Sequence, residues 1–143
     1  MNLRFAFAVN YQGQFEKKHF GDADKYIVYE INNGQLKFVS EENNQFKSMD
    51  ENAEHGSAKK GKAIIELLKN LDINVLVSRQ FGLNIKLINE HFIPIKISFL
   101  YPEEVLPILE KHLHWIIDEW ESTDLNYKLF TIQSGILKSS IKK

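Results

Sequence analysis

The chain has 143 residues, of which 43% are hydrophobic and 12% aromatic, and this composition is typical of one globular domain with an ordinary apolar core. Eighteen Lys and Arg against nineteen Asp and Glu give a formal net charge of -1, which argues against nucleic acid or an anionic membrane as a partner. The absence of cysteine excludes disulfides and any iron–sulfur cluster or zinc ion held by thiolates, although histidines and carboxylates could still hold a metal.

The N-terminal segment carries no targeting signal of the usual kind. Its apolar run is too short for a signal peptide and lacks a cleavage pattern. No run in the chain approaches the roughly 18 to 20 apolar residues that a membrane-spanning helix requires. We therefore expect a soluble, cytoplasmic protein with no membrane partner.

The first forty residues carry strand signals. Leu3 to Val9 alternates apolar residues with smaller or polar ones, which is typical of a strand. Lys25 to Ile31 and Gln35 to Ser40 are rich in β-formers and flank Asn33-Gly34, so they predict a hairpin with a tight turn. The polar stretch from Glu41 to Glu54 predicts a loop.

Helix and strand signals alternate in the middle of the chain. Ala58 to Leu71 has apolar residues at helical spacing, and Asn74 to Ser78 reads as a short buried strand. Gly82 is predicted to open a second helix that ends near His91, and Phe92 to Phe99 makes another strand. This order predicts parallel pairing with right-handed crossovers, and a site built from loops at the carboxyl ends of the strands.

The last third has a different character. An apolar stripe from Val105 to Trp120 predicts a helix that begins at Pro102 or, because Pro107 deletes a backbone hydrogen bond, at Pro107. Tyr127 to Gln133 is a candidate strand, and Ile136 to Lys143 is predicted to be a frayed basic tail.

Three motifs on these elements resemble the dinitrogenase iron–molybdenum cofactor biosynthesis family over residues 1–98. The segment His19 to Asp22, with the strand that follows it, is similar to the His-Phe-Gly motif of that family. His55-Gly56 before the first helix is similar to its second loop, which contains His and Gly. Phe81-Gly82 and Ile93 to Ile95 resemble its Gly-led helix and its closing strand.

The resemblance implies an α/β, ribonuclease H-like three-layer fold with a mixed central sheet and, in this chain, a C-terminal helical extension. Residues 1–98 would form the family domain, and residues 99–143 would pack on it as a helix and tail. It also implies a non-catalytic carrier for the iron–molybdenum cofactor or an iron–sulfur cluster, working with cofactor-assembly proteins. His19 is then the candidate metal ligand. The other candidate cofactor-binding residues are Gly21, His55, Gly56, Lys59, Arg79 and Gly82.

His19 is the most informative of these residues. Gly21 beside it permits close backbone approach. A neutral imidazole is a competent ligand for an exposed iron of a preassembled cluster, which needs only an open coordination site. The alternative is that His19 hydrogen-bonds a neighbouring backbone group and only fixes the loop.

The start of the first helix carries a second candidate. Unpaired N–H groups at Gly56 and beyond form a positive pole, and Lys59, Lys60 and Lys62 add charge that the helix dipole disfavours. Either these lysines are solvated, or an anionic cluster or phosphate matches them.

One segment departs from the family pattern. This chain has Ser78-Arg79-Gln80-Phe81-Gly82 where relatives commonly have a glycine-rich stretch. Arg79 and Phe81 would narrow the approach to the site, or Arg79 would supply charge to an anionic ligand.

Enzymatic alternatives lack essential residues. Gly56 to Lys62 matches the start of a phosphate-binding P-loop, but Ala63 stands where Ser or Thr would hold Mg²⁺. A two-metal nuclease needs carboxylates on its central strand, and Leu3 to Val9 has none. The sequence shows no paired nucleophile and general base. The nearby acidic residues are predicted to be turn and surface groups; they are Asp22, Asp24 and Glu30.

Three functional hypotheses follow, of which the third, an enzyme that acts on a small anionic substrate at the basic start of the first helix, has no paired nucleophile and general base to support it. The first is the non-catalytic cluster carrier. The second is an interaction or regulatory module that has lost the cluster, in which the helix from Pro102 to Glu121 covers either the sheet or a partner in a homodimer.

Overall fold

The computed structural model describes residues 2–47, 56–82, 85–123, 126–133 and 136–141. Within them, seven strands and four helices follow one another along the chain. The strands are β1 (Arg4–Val9), β2 (Lys25–Asn32), β3 (Gln35–Asn43), β4 (Val75–Ser78), β5 (Ile93–Ile97), β6 (Leu129–Ile132) and β7 (Ile136–Ser139). The helices are α1 (Gly56–Asn70), α2 (Ile85–Ile88), α3 (Pro102–Lys111) and α4 (Leu113–Ser122), and a 3-10 turn covers Phe20–Asp22.

The strands form one mixed sheet in the order β3-β2-β1-β4-β5-β6-β7. Strands β1, β4, β5 and β6 are parallel to one another, whereas β2, β3 and β7 run antiparallel to their neighbours. The predicted hairpin is confirmed, since Asn33 and Gly34 have φ angles of 55° and 77° in the two-residue turn between β2 and β3. The predicted α/β class with a mixed sheet is confirmed as well.

Helices cover both faces of the sheet, which gives three layers. Alternation along β1 sends Phe5 and Phe7 to one face and Ala6 and Ala8 to the other. The first face is covered by α3 and α4, whose buried apolar residues are Val105, Leu109, Leu113 and Ile116. The second face is covered by α1 and α2, whose buried apolar residues are Ile64, Ile65, Leu68 and Ile88. The C-terminal helices therefore cover the sheet, one of the two roles predicted for them.

The crossover connections do not all have the same hand. Going from β3 to β6, each one advances in the same direction across the sheet. The connections through α1 and α2 pass over one face, while the connection through α3 and α4 passes over the opposite face. The last crossover therefore has the opposite hand to the first two. It covers an apolar face that would otherwise be open, because parallel strands need both faces buried.

The second helix is shorter than its pattern predicts. Gly82 has a φ of 75°, a left-handed conformation that cannot open an α-helix, and α2 is a single turn that starts at Ile85. The third predicted helix is divided, because His112 leaves helical geometry (φ -112°, ψ 20°) between α3 and α4. Its start is at Pro102, with Pro107 inside α3. Among the described residues, none of the helices is both long enough and apolar enough to cross a lipid bilayer.

The C-terminal segment also differs from its prediction. The candidate strand between Tyr127 and Gln133 is confirmed as β6. The prediction of a frayed tail is wrong for Ile136–Ser139, because this segment is β7 and pairs with β6 along its whole length. The polar loop predicted from Glu41 starts later, since β3 continues to Asn43. Residues 48–55 of that loop lie outside the described residues.

Candidate functional site

The loop between β1 and β2 is anchored by Phe20. Its ring is fully buried and stacks on Tyr26 and Phe81, with ring centroids 4.7 Å and 5.8 Å apart. Its N–H donates to the carbonyl of Gln80 (2.8 Å), and its carbonyl accepts from the Tyr26 hydroxyl (2.9 Å). Burial raises the pKa of Tyr26 far above its usual range, with Asp22 adding to the effect, so the hydroxyl remains a donor. The neighbouring His19 is thereby held at the surface on a fixed backbone.

Polar side chains directly after β3 and directly before β2 fix the same loop. The buried Asn44 donates from its amide to the carbonyls of Gly21 and Ala23, both at 2.9 Å. Asp24 accepts from the Tyr11 N–H at 3.0 Å and forms an ion pair with Lys47, whose pKa is raised by the hydrogen bond to Asp24. The prediction that Asp24 is a surface group is wrong, because only 8% of the residue is exposed.

Asp22 ties the 3-10 turn to α1. Its Oδ1 lies 2.6 Å from Nζ of Lys60, whose side chain is only 3% exposed, and Nζ also donates to the carbonyl of Lys47 at 3.0 Å. The sequence predicts that the lysines at this helix start are solvated or matched by an anion. Lys59 and Lys62 are exposed, whereas Lys60 is matched by a carboxylate of the protein itself.

His19 rests against Gly82. A Cβ built on Gly82 would lie 2.6 Å from Nδ1 of His19, and the next nearest ring atoms would be Cγ and Cε1. The two predicted glycine-containing motifs are therefore in direct contact, and only glycine allows this approach. The His19 ring is exposed and has no hydrogen bond to any residue in the described part of the chain. Nε2 is the ring nitrogen farther from Gly82 and is the candidate donor to a metal.

A cavity of about 500 Å³ lies beside His19 at the carboxyl edge of the parallel strands. Its lining is Lys17, His19, Arg79, Gln80, Phe81, Gly82, Ile85, Lys96, Ile97, Ser98 and Leu129. After β4 the chain turns towards α2, and after β5 it turns towards α3 on the opposite face, so a crevice opens between the two strand ends. The helix α2 contributes Ile85 to the lining, β5 contributes its last residue, Ile97, and β6 contributes its first residue, Leu129.

The cavity lining is positively charged. Lys17, Arg79 and Lys96 contribute to it, and no carboxylate does among the residues that the structure describes. Within the same described ranges, no group of three or more His, Asp or Glu side chains converges as a metal-binding set would. The arrangement therefore offers one imidazole ligand and a cationic wall, which suits an anion carrying a metal with an open coordination position.

A family model described as dinitrogenase iron-molybdenum cofactor matches residues 1–95, most of the chain. The chain belongs to the dinitrogenase iron-molybdenum cofactor family. The predicted resemblance is thereby confirmed and relates the protein to nitrogenase cofactor biosynthesis. No curated protein matches the sequence.

The segment that matches the family model, residues 1–95, contributes most of the residues that line the cavity. His19, Arg79 and Gly82, three of the predicted site residues, come together in its lining. Gly21 instead faces α1, where an added Cβ would meet Cδ1 of Ile64 at 3.2 Å. Lys59 is exposed on α1 and is not among the lining residues. Gly56 begins α1, and His55 lies outside the described residues.

Two of the cationic residues that line the cavity, Lys17 and Lys96, were not among the site residues predicted from the sequence. Lys96 lies beyond the segment that the family model matches. It is an exposed residue between the buried Ile95 and Ile97 in β5, which lies between the parallel strands β4 and β6. A lysine near the carboxyl end of such an apolar strand is unusual and could have been recognised as a signal. Lys17 stands two residues before His19, where it reads as an ordinary loop residue.

The contact between His19 and Gly82 gives a direct prediction. Gly82→Ala should lower the free energy of unfolding by about 1–2 kcal/mol, because alanine disfavours positive φ, and should also displace the His19 ring. Gly34→Ala is a matched control: its φ is 77° and nothing lies within 4 Å of the added Cβ. In denaturant titrations we expect Gly82→Ala to lose at least as much stability as Gly34→Ala, and we expect altered His19 ring signals by NMR only for Gly82→Ala. Unaltered His19 signals would contradict the contact.

Proposed function

We propose that the protein is a non-catalytic carrier that binds a preassembled iron–molybdenum or iron–sulfur cluster through His19. The observation that carries this proposal is the exposed imidazole of His19, without a hydrogen-bond partner among the described residues, at a cavity lined by three cations. Hydrogen bonds of Phe20 and Asn44 hold the loop, which favours a ligand role for the His19 ring over a purely loop-fixing one.

The chemistry of this site suits cargo better than a resident cofactor. A single neutral imidazole can donate its lone pair to one iron with an open coordination site, and it can release that iron again. The cations Lys17, Arg79 and Lys96 would offset negative charge on the cluster. Because a carrier must receive its cluster and pass it on, cofactor-assembly proteins would deliver the cluster to this protein and take the cluster from it.

An anaerobic titration with a preformed cluster tests the proposal. We expect transfer to the wild-type chain, seen as a change in the visible absorbance, and at least about tenfold weaker binding by His19→Ala. Loss of an outer-shell partner alone commonly weakens metal affinity by about 10–100-fold, and loss of a ligand should do no less. His114→Ala is the matched control, because His114 is an exposed histidine on α4 outside this cavity.

Two results would overturn the carrier proposal. One is the absence of any absorbance transfer to the wild-type chain, and the other is transfer that His19→Ala leaves unchanged. Either result would favour the alternative function, an interaction or regulatory module on the same fold that has lost the cluster.

A further inference from the structure

The cationic wall of the cavity is distinct from the candidate metal ligand. It consists of Lys17 in the loop after β1, Arg79 directly after β4, and Lys96 near the end of β5. Three separate segments thus contribute one cationic residue each to the lining of the same cavity, in a chain whose net charge is -1. Ser98 adds a hydroxyl group at the same edge.

These three charges are not neutralised within the described part of the chain. Some cations elsewhere in the described ranges form ion pairs, as Arg4 does with Glu30 at 2.7 Å and Lys25 with Glu41 at 2.6 Å. No ion pair of this kind involves Lys17, Arg79 or Lys96 among the described residues. Charges of one sign that converge on a concave site raise the local concentration of the opposite ion.

The backbone that presents two of these charges is held in place. The Gln80 side chain donates from Nε2 to the carbonyl of Lys17 at 3.1 Å, which joins the loop after β1 to the loop after β4. The Ser78 hydroxyl donates to the carbonyl of Gln80 at 2.8 Å, and the N–H of Phe20 donates to the same oxygen. The wall is therefore built on a fixed frame, which reduces the ordering that a ligand would have to impose.

We infer that Lys17, Arg79 and Lys96 form a receptor for a multivalent oxyanion whose charges are spread over several ångströms. It takes carboxylate or phosphate groups by charge-assisted hydrogen bonds from three sides. A cavity of about 500 Å³ is far larger than one small oxyanion needs, which favours a ligand with several charged groups. The inference deepens the proposed function and rests on it for the biological role of the anion.

Calorimetric titration of the full chain without any metal tests the receptor. Citrate and tripolyphosphate represent spread carboxylate and phosphate anions, and acetate and inorganic phosphate are their compact counterparts at equal ionic strength. We expect at least one spread anion to bind about tenfold or more tightly than its compact counterpart. Tighter binding of citrate would indicate that the receptor takes carboxylate groups, and tighter binding of tripolyphosphate would indicate that it takes phosphate groups.

Matched variants locate the binding site. Lys96→Gln and Arg79→Gln should each weaken binding of the preferred anion about tenfold, which is the usual effect of losing one charged hydrogen bond. Lys59→Gln, which removes an equal charge from an exposed position outside the cavity, should leave binding unchanged. Because Lys96 is exposed, its substitution should also leave the unfolding transition unchanged.

The outcomes separate this inference from the proposed function. Equal affinities for spread and compact anions, or equal losses from Lys59→Gln and Lys96→Gln, would overturn the receptor. Citrate or tripolyphosphate binding that depends on Lys96 would support it even if cluster transfer failed. Cluster transfer that depends on His19, with no anion binding in the absence of metal, would overturn the receptor alone.

Discussion

A chain that ends at Ser98 is expected to lose cooperative folding and to aggregate. The deletion removes α3, α4, β6 and β7, and so uncovers the sheet face that carries Phe5 and Phe7. Each fully buried side chain of this size contributes about 1.5–3 kcal/mol, so the four buried apolar side chains of α3 and α4 together contribute about 6–12 kcal/mol. That range matches the total stability of a typical domain, about 5–15 kcal/mol.

Size-exclusion chromatography with light scattering, followed by thermal unfolding monitored by circular dichroism, measures this result. A chain ending at Ser140 is the matched control, because it retains every strand and should melt like the full chain. A monomeric 1–98 fragment with a cooperative transition would contradict the expectation. It would instead support the predicted division into a domain of residues 1–98 and a packed extension of residues 99–143.

Lys60→Met should destabilise the protein by about 3 kcal/mol, the lower end of the range for breaking a buried ion pair. The substitution leaves the Asp22 carboxylate, whose side chain is 21% exposed, without the cation that lies 2.6 Å away. Partial solvent access to Asp22 places the expected loss at the lower end. Because Asp22 ends the 3-10 turn that follows His19, the variant should also loosen the candidate metal site.

Denaturant titrations of a double-mutant cycle measure the strength of this pair. The double variant Asp22→Asn with Lys60→Met should lose less free energy of unfolding than the two single losses added together, because it no longer contains the Asp22 carboxylate that Lys60→Met separates from its cation. Lys59→Met is the control from the neighbouring exposed position and should change stability by less than about 0.5 kcal/mol. Equal stabilities of Lys60→Met and Lys59→Met would refute the role of the pair.

Local patterns were sufficient to predict the centre of the fold. The strand β1, the hairpin with Asn33-Gly34 and the helix α1 all have strong periodic or turn signals, and each is present. The apolar stripe of α3 and α4 was also recognised, although the break at His112 was not. These signals succeed because each depends on neighbours within one or two turns of chain.

Features that depend on distant parts of the chain were harder to predict. The strand β7 has few residues and a lysine in its middle, and only its pairing with β6 makes it a strand. The contact between His19 and Gly82 likewise joins loops that are far apart in sequence. The cationic wall depends on sheet order, because Lys17, Arg79 and Lys96 come together only when β1, β4 and β5 lie side by side.

Leu129 lies in β6, and it nevertheless contributes to the cavity that contains His19. During synthesis, the family segment emerges first, so its histidine is made well before the cavity is complete. The cavity is finished only after the last crossover has passed over the sheet and β6 has joined β5. The cavity beside His19 is therefore complete only once β6 has been made, and a polypeptide that stops before Leu129 lacks part of its lining.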